Sequence, residues 1–411
     1  MIKNKSLLSL FSGCGGMDLG FEGGFHVPVE AINPRIHLSD WYSIDGDWAY
    51  LKPTSFQTVF ANDILPSAES AWKGYFTSKS GLDAEKVYNN QSIVDIVKDH
   101  LGGKRVLPTS VDIVTGGFPC QDFSVAGKRG GFNSHKNHKN EVSEVTDLEE
   151  TRGKLYVWMR KVIEITKPKV FIAENVKGLI SLGEAKAIIE ADFSSIDKNG
   201  YLVVPARVLH AANYGVAQTR ERIIFIGLNR KFLKKSIIKK IESGDLDVYP
   251  PITHTENGTD DTLCFTKVKH YFRGLVEPDY SEDYAQQKFS KAKYCPGSQG
   301  QVEVNLEGLA PTIRAEHHGN IEYRRLSPEK GGKYSTEFEN GFYERRLTVR
   351  ECARIQTFPD DYSFVRPKSQ SEPFPLSASG AYKVIGNAVP PLLAFNIARH
   401  IEHLWDEIFK E

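Results

Sequence analysis

Cysteines are few in this sequence, and their spacing excludes two common uses of the thiol. The 411 residues include five cysteines, an odd number, and no two of them form a Cys-x-x-Cys pair. Disulfide frameworks use even numbers of cysteines, and structural zinc sites use paired spacings. We therefore expect no disulfide framework, no metal site and a reducing compartment, the cytoplasm.

Long apolar runs are missing as well. No stretch approaches the roughly 20 apolar residues that a membrane span requires. The run "SLLSLFSG" near the N-terminus is too short for a secretory signal. Hydrophobic residues nevertheless form 40% of the chain, which is enough for a sizeable core. The expectation is a cytoplasmic protein that does not associate with membranes.

The chain has no excess of either charge. Lys and Arg number 52, and Asp and Glu also number 52. An acidic partner such as nucleic acid would therefore depend on local basic clusters. Residues 127–139, "GKRGGFNSHKNHK", form such a cluster, with four Lys or Arg and no acid. This segment suits a clamp on phosphates, and the alternative is an ordinary solvated loop.

Strands and helices alternate over residues 1–228, which is typical of a parallel α/β sheet. Residues 34–57 interrupt the pattern and are predicted to be an irregular inserted loop. Buried strands are predicted at 6–13, 58–63, 110–117, 167–176, "YLVVPARVLHA" and "RIIFIGL", and helices from Pro66, at 153–165 and near 184–192.

The alternation stops near residue 229. Residues 229–344 are polar and lack a regular period, which predicts a second, smaller and irregular domain. From residue 345 the pattern returns: Thr348 and Glu351 form a capping box that opens a helix, and residues 390–409 form an amphipathic helix. We expect residues 345–411 to rejoin the first domain, 1–228.

A glycine-rich turn, "FSGCGG" (11–16), follows the first predicted strand. Its glycines would allow a tight turn and a close backbone approach to a ligand. A dinucleotide fingerprint would need a further glycine at position 18, which is Asp. A pyrophosphate site is therefore disfavoured, and a nucleoside-type cofactor or a plain turn remains. Asp63, after the second strand, or Glu30 would accept hydrogen bonds from a ribose.

A lone cysteine, Cys120, follows the third strand in "GGFPCQDFSVAGKR". That position lies at the carboxyl edge of the sheet, where α/β proteins bind ligands. Lone cysteines are commonly inert fillers, but Pro119, Lys128 and Arg129 are the neighbours expected of a reactive thiolate. A zinc deaminase would need Pro-Cys-x-x-Cys, and position 123 is Phe.

Two further motifs carry charge beside apolar strands. Glu174 in "AENV" closes a buried run, a costly place for an acid. Such an acid acquires a raised pKa and can donate a proton. Gln218, Arg220 and Arg222 alternate in "QTRERIIFIG" and share one face of an extended segment. The alternative for this second motif is a charged strand edge.

Taken in order, the motifs are Phe-x-Gly-x-Gly-Gly, Pro-Cys-Gln, Glu-Asn-Val, Gln-x-Arg-x-Arg and "GNAVPP". This series resembles the DNA (cytosine-5) methyltransferases, specifically those of bacterial type II restriction–modification systems. The resemblance covers residues 6–228 and 345–400, and the segment between them is where such enzymes carry a target-recognition domain. It implies a Rossmann-like sheet that uses S-adenosyl-L-methionine, with a smaller irregular recognition domain.

The resemblance also implies a reaction. The family transfers a methyl group to C5 of a flipped-out cytosine in a specific sequence of double-stranded DNA, through a cysteine adduct at C6. Cys120 matches the nucleophile, Glu174 the acid at N3, and Arg222 the arginine near O2. Asn175 and Arg220 match supporting positions. The resemblance also implies that the protein is a monomer and that it protects host DNA from a cognate restriction endonuclease.

The remaining site residues are assigned by the same resemblance. One departure concerns the family's Gly-Asp-Ile, which reads Gln91-Ser92-Ile93 here, so that Asp95 is a possible substitute for the missing acid. The cofactor residues are Phe11, Gly13, Cys14, Gly15, Gly16, Asp63, Ile64, Ser92, Ile93, Pro119, Asn387 and Ala388. The DNA-binding residues are Gln121, Ser124, Lys128, Arg129, Gln218, Gln299 and Thr312.

Three other functions compete with this interpretation. A tRNA cytosine methyltransferase would share the motifs, but the long segment 229–344 favours DNA. A non-catalytic DNA-binding regulator would be expected to have lost Cys120 or Glu174, and both are present. A generic thiol enzyme or dehydrogenase is disfavoured by Asp18 and by the lack of a Cys-His pair.

Overall fold

The computed structural model describes residues 4–81, 83–119, 155–182, 184–197, 200–296, 300–315, 321–333 and 335–410. Elements are numbered in chain order. The strands are β1 (Lys5–Leu10), β2 (Phe25–Pro28), β3 (Tyr42–Asp45), β4 (Trp48–Leu51), β5 (Phe56–Asn62), β6 (Tyr88–Asn89), β7 (Ile113–Gly117), β8 (Val170–Val176), β9 (Tyr201–His210), β10 (Glu221–Asn229), β11 (His254–Thr255), β12 (Leu263–Cys264), β13 (Tyr323–Arg325) and β14 (Arg345–Arg346). The helices are α1 (Gly16–Glu22), α2 (Pro66–Ser80), α3 (Ala84–Val87), α4 (Ile93–Asp99), α5 (Leu155–Thr166), α6 (Ala185–Ser194), α7 (Lys235–Ser243), α8 (Val268–Tyr271), α9 (Tyr284–Gln287), α10 (Ser335–Glu339), α11 (Val349–Ile355), α12 (Ala378–Asn387) and α13 (Pro391–Ile408).

A seven-stranded sheet forms the centre of the molecule, in the order β6-β5-β1-β7-β8-β10-β9. The pairs from β6 to β8 are parallel, which confirms the predicted Rossmann-like architecture. The exception is β10, which runs antiparallel to both β8 and β9. Only residues 211–220 connect β9 to β10. A parallel crossover needs a dozen or more residues, so this short link reverses the chain.

Apolar residues from the two faces of the sheet pack into two cores. In β1, Leu7 belongs to one core and Leu8 to the other, as the alternation of side chains along a strand requires. The first core is closed by α1, α2 and α13, and the second by α4, α5 and α6. No helix in the described part of the chain is long and apolar enough to cross a membrane.

The C-terminal helices pack against the first half of the chain. A Cβ atom on Gly20 of α1 would lie 2.4 Å from the Cβ of Ala394 in α13, so the two helix backbones are in close contact. The predicted capping box is confirmed, because Thr348 Oγ1 accepts from the Glu351 amide and the Glu351 carboxylate accepts from the Thr348 amide. The predicted helix over 390–409 is confirmed as α13.

The prediction of an irregular loop at 34–57 is wrong. Strands β3 and β4 form a hairpin there, and β4 also pairs with β2 to make a three-stranded antiparallel sheet. Gly46 turns the hairpin at φ 57°. Each strand is only four residues long and β3 is mostly exposed, so the hydrophobic pattern is too weak to predict the hairpin. Its stability depends on pairing with β2.

Residues 229–344 contain short elements. In the described part of the chain β11 pairs with β12, and β13 pairs with β14 and, through Tyr323, with Glu303. A buried ionic network ties this segment to α11. The Glu277 carboxylate receives hydrogen bonds from the guanidinium groups of Arg325 and Arg345, and Arg345 also binds Glu351 at 2.8 and 2.9 Å. The division of the chain into domains at residues 228 and 344 stays a prediction.

Candidate active site

The carboxyl ends of β7 and β8 bring the Glu-Asn-Val motif beside the entry to the Pro-Cys motif. Gly117, the last residue of β7, pairs with Glu174 of β8. The next residue, Phe118, accepts a hydrogen bond at its carbonyl oxygen from Asn175 Nδ2, at 3.2 Å. Cys120 lies outside the described residues, three positions after Gly117. Asn175 thus holds the backbone that leads to the predicted nucleophile.

Glu174 forms a nearly buried ion pair with Arg222, which lies on the antiparallel neighbour β10. Arg222 Nε is 2.7 Å from Glu174 Oε1, and the two side chains are 12% and 10% exposed. Burial raises the pKa of the Glu174 carboxyl, and the positive charges of Arg222 and Arg220 offset only part of that effect. The carboxyl therefore binds a proton at higher pH than an exposed glutamate does.

Gly117 is a site residue that the sequence did not single out. A Cβ atom at this position would lie 2.8 Å from Glu174 Oε2. The absent side chain is what leaves room for the Glu174 carboxylate over the end of β7. Its pairing with Glu174 across the sheet could have been found only from the strand register.

Gln218 and Arg220 are fully buried, and their polar groups bind other parts of the chain. Gln218 accepts from the Ile313 amide at 3.0 Å and donates to Gln356 at 3.1 Å. The Arg220 guanidinium donates to the carbonyl oxygens of Ile313, Gly386 and Ala388. These two side chains join the start of β10 to residues 310–313 and to the "GNAV" segment, and Gln356 is a further residue of this junction that the sequence analysis missed.

Thr312 lies at the same junction. Its hydroxyl donates to the Thr219 carbonyl oxygen at 2.6 Å. Residues 217–219 and 310–313 also pair through their backbones, because Thr219 N donates to Ala310 O and Ala310 N donates to Ala217 O, both at 2.9 Å. The segment around Thr312 is therefore fixed directly beside the strand that carries Arg222.

The glycine-rich turn lies at the carboxyl end of β1. Phe11 adopts φ 52°, an uncommon conformation for a residue with a side chain. Gly15 packs against the Trp72 and Phe76 rings of α2, and Gly16 against the Val389 carbonyl, at distances that exclude a Cβ atom. Around Gly13, by contrast, nothing lies within 4 Å of a Cβ position, so space is open there.

Asp63 borders this open space. Its carboxylate accepts from the Gly13 amide at 3.0 Å and from the Leu65 amide at 2.9 Å. Burial raises its pKa, while the backbone hydrogen bonds and the charge of Lys383 act in the opposite direction. Lys383, on α12, is a charged neighbour of the turn that the sequence analysis did not name. Ile64 follows Asp63 and is half-buried.

The rival acid Glu30 is engaged elsewhere, since Arg273 binds its carboxylate at 2.7 Å. Asp18, which replaces the fingerprint glycine, is fully buried and anchors the turn. It accepts hydrogen bonds from Ser9 at 2.5 Å and from the Trp72 indole at 2.7 Å, and burial raises its pKa to about 7.

Ser92 begins α4 as its N-cap and accepts from the Val94 amide at 3.3 Å. Ile93 beside it is buried, and Asp95 is half-buried in the first turn of the helix.

The Cys14 thiol is buried and lies 3.4 Å from the Val384 carbonyl oxygen of α12. Asn387 at the end of α12 is exposed, while Ala388 is buried; Pro119, after β7, is half-buried.

Several predicted site residues lie outside the described part of the chain: Cys120, Gln121, Ser124, Lys128, Arg129 and Gln299. Among the residues that the structure describes, no group of three or more His, Cys, Asp or Glu side chains is arranged to hold a metal ion.

Comparison with known proteins identifies the family. The model of the C-5 cytosine-specific DNA methylases matches residues 6–403. The type II methyltransferase M.BsuRI of Bacillus subtilis is 29% identical over 96% of this chain and 79% of its own length. M.FnuDI of Fusobacterium nucleatum is 27% identical over 96% of this chain and 94% of its own length.

Solved structures agree on the fold. The S. pombe Dnmt2 methyltransferase and the Entamoeba histolytica methyltransferase EhMeth each give a TM-score of 0.53 at 15% identity, over 98% of this chain and 99% of theirs. With the family match over nearly the whole chain, the protein belongs to the C-5 cytosine-specific DNA methylases and is a DNA cytosine-5 methyltransferase of the type II restriction–modification kind.

Proposed function

We propose that Cys120 is the nucleophile of this methyltransferase and that Glu174 and Arg222 bind the cytosine during attack. The observation that carries the proposal is the buried Glu174–Arg222 pair, packed over Gly117, three residues before Cys120. Burial raises the pKa of the Glu174 carboxyl, and a buried carboxyl with a raised pKa at the end of a strand is typical of a catalytic acid.

The cysteine solves a chemical difficulty, because C5 of cytosine is a weak nucleophile. The Cys120 thiolate adds to C6, and the electrons of the C5–C6 double bond move toward N3. Protonated Glu174 donates its proton at N3, and Arg222 stabilises charge at O2. C5 then takes the methyl group, and N3 returns its proton to Glu174. A base removes the C5 proton, and the sulfur–C6 bond breaks as the C5–C6 double bond reforms. We assign no residue as that base.

Other predicted residues fit positioning roles. Asn175 holds the Phe118 carbonyl and so orients the chain entering Cys120. Arg220 and Gln218 are fully buried and bind other parts of the chain, so we assign them to the support of Arg222 and Thr312 rather than to contact with DNA. Thr312, fixed to Thr219, is proposed to touch the DNA backbone near the flipped base.

The open space beside Gly13 and Asp63 fits the nucleoside of S-adenosyl-L-methionine. The cofactor would supply an electrophilic methyl group on its sulfonium. Asp63 would accept hydrogen bonds from the ribose, Phe11 and Ile64 would pack on the adenine, and Gly13, Cys14, Gly15 and Gly16 would line the methionine end. Ser92, Ile93, Pro119, Asn387 and Ala388 are proposed to complete the pocket, with Asp95 as the alternative acid for the adenine amino group.

The substrate is proposed to be a specific sequence in double-stranded DNA, read by residues 229–344. Flipping the cytosine out of the duplex costs a few kcal/mol, and the basic segment after Cys120, with Gln121, Ser124, Lys128 and Arg129, would close over it. Gln299 would fill the space that the base leaves. We further propose that the enzyme acts as a monomer and protects DNA from a cognate restriction endonuclease.

Covalent trapping tests the proposal. A duplex with 5-fluorocytosine at the target position blocks removal of the C5 substituent, so the adduct should persist. The target position is first found by bisulfite sequencing of plasmid DNA from cells that express the protein. We expect mass spectrometry to place the crosslink on Cys120, and Cys120→Ser to abolish it. Cys264→Ser, which alters an exposed cysteine, is the matched control. A crosslink that persists in Cys120→Ser would refute the assignment.

A further inference from the structure

Residues 29–53, which we call the brace, include most of the 34–57 stretch that was predicted to be an irregular loop. The brace has no role in the reaction proposed above. They contain the hairpin of β3 and β4, which is held by β2 next to α1. The brace lies between two parts of the chain that are far apart in sequence, the C-terminal helix α13 and residues 253–273 of the proposed recognition segment.

One side of the brace is fixed to α13. The ring of His37 accepts from the Asn33 amide at Nδ1, at 2.9 Å, so its Nε2 carries the hydrogen and donates to Asn396 Oδ1 at 2.9 Å. Burial lowers the pKa of His37, which keeps the ring neutral in this arrangement. Arg399 donates to the carbonyl oxygens of residues 52 and 53, both at 2.8 Å. The brace is therefore anchored to the catalytic half of the molecule.

The other side holds the recognition segment through backbone carbonyl groups and two of its side chains. Nδ2 of the buried Asn33 side chain donates to the carbonyl oxygens of Thr253 and Asp261, at 2.9 and 2.7 Å. The Glu30 carbonyl oxygen lies 2.9 Å from His254 Nε2 and accepts from the Thr266 hydroxyl at 3.1 Å. These contacts fix the path of residues 253–266 against the brace.

Ionic contacts with Arg273 complete the junction. Arg273 binds the Glu30 carboxylate at 2.7 Å and donates to the Asp47 carbonyl oxygen, in the turn of the hairpin, at 3.1 Å. Arg354 of α11 donates to the carbonyl oxygen of Arg273 at 2.6 Å, and its guanidinium lies 5.2 Å from the ring centre of Trp48 in β4. The hairpin and α11 thus hold Arg273 from two directions.

The braced segment continues toward Thr312. The amides of Val268 and Lys269 donate to the carbonyl oxygens of Gly308 and Leu306, both at 3.0 Å. Four residues after Gly308 comes Thr312, bound to the start of the strand that carries Arg222. A shift of residues 268–273 would therefore move residues 306–312, which include Thr312, the proposed contact to the DNA backbone.

We propose that the brace positions the recognition segment for target DNA, with Glu30 and Arg273 as its positioning residues. This inference rests on the proposed role of residues 229–344 in reading DNA. Neither residue reaches the reacting atoms, so the brace acts on productive DNA binding and on discrimination between sequences. The chemical step on DNA that is already bound should be unaffected.

The experiment compares wild type with Glu30→Gln in methyl transfer to a duplex carrying one site identified by bisulfite sequencing, and to duplexes with one base pair of that site changed. A partly exposed charged pair is worth up to about 1 kcal/mol. We therefore expect KM for the cognate duplex to rise about fivefold, discrimination to fall, and kcat to stay unchanged. A variant with Glu30→Arg and Arg273→Glu, which restores the pair with exchanged charges, should recover both values in part.

Two further variants keep the outcome decisive. Glu407→Gln, which alters an exposed carboxylate paired with Lys240 and lies outside the recognition segment, is the matched control and should behave as wild type. If Glu30→Gln does not fold, it is replaced by Asp47→Ala, which removes a carboxylate 3.6 Å from Arg273 Nε, and the same direction is expected. Unchanged KM and discrimination, or a loss confined to kcat, would overturn the proposal. A wild-type protein that methylates no DNA would instead refute the proposed function itself.

Discussion

Two buried carboxylates, each bound by arginine, have pKa values shifted in opposite directions. At the active site, burial raises the pKa of Glu174, although Arg222 binds it at 2.7 Å. In the recognition segment, burial acts on Glu277 in the same direction, but hydrogen bonds from Arg325 and Arg345 outweigh it and lower the pKa to about 2.

The number of donors accounts for the difference. Glu277 receives bonds on both oxygens from two guanidinium groups, which satisfies the charged form. Glu174 has a single close charged partner and faces the end of β7, where Gly117 leaves space. A carboxylate that holds structure is kept ionised, and one that is to exchange a proton is left partly uncompensated.

The largest expected effect on activity comes from replacing Glu174. Glu174→Gln keeps the size of the side chain but cannot donate a proton, so methyl transfer should fall roughly 10²- to 10⁴-fold. Single-turnover transfer of labelled methyl measures this loss, with cofactor binding checked by calorimetry. Glu221→Gln, which alters the more exposed neighbour paired with Lys177, is the control and should retain activity. Activity within tenfold of wild type in Glu174→Gln would contradict the role.

Replacing Glu277 should affect the stability of the fold instead of catalysis. Glu277→Gln removes one of the two carboxylates that bind each buried guanidinium group, because Glu337 still binds Arg325 and Glu351 still binds Arg345. The free energy of unfolding should therefore fall by about 1 to 3 kcal/mol. Because the pKa of Glu277 is lowered to about 2, its stabilisation is present above the ordinary glutamate pKa and is lost as the pH falls toward 2. Urea unfolding at pH 7 and at pH 4 measures both features. If the difference in unfolding free energy between wild type and Glu277→Gln is no smaller at pH 4 than at pH 7, the ionised Glu277 does not stabilise the fold as proposed.

The space over Gly117 can be tested on its own. Gly117→Ala places a Cβ atom 2.8 Å from Glu174 Oε2. This distance is too short for a contact, so the carboxyl must move. Misplacement of a reacting group by about 1 Å costs on the order of 10²-fold in rate, measured in the same single-turnover assay. Gly102→Ala, at a position with open space around it, should have no effect. Equal activity of the two variants would mean that Glu174 tolerates displacement.

The smallest effect concerns pH. The wild-type rate should decline as the pH rises through the raised pKa of Glu174, because the proton donor is lost. Arg222→Gln removes a charge that lowers this pKa, so the decline should move to higher pH, on top of a lower maximal rate. A pH–rate profile of both proteins decides the point. A shift to lower pH would show that Arg222 does not act on Glu174 through its charge.

Prediction from sequence succeeded where a pattern is local. The capping box at Thr348 and the amphipathic helix α13 follow from residue spacing alone. It failed where pairing decides the structure, as in the hairpin of β3 and β4 and the reversed direction of β10. For the site, the motifs pointed to Glu174, Arg222 and Asp63, but not to Gly117, whose importance comes from the residue that faces it across the sheet.

The sequence by itself determined the chemical groups of this methyltransferase, the order of its motifs and the lengths of its longer elements, because these depend on residue type and on nearest neighbours along the chain. Only the tertiary structure decided which carboxylates are ionised, which polar residues are consumed in internal junctions, and what the hairpin at 42–51 holds. Those properties depend on burial and on the number of partners within hydrogen-bonding distance. Both quantities are set by segments that are far apart in the chain, such as Glu174 with Arg222 and Asn33 with Thr253.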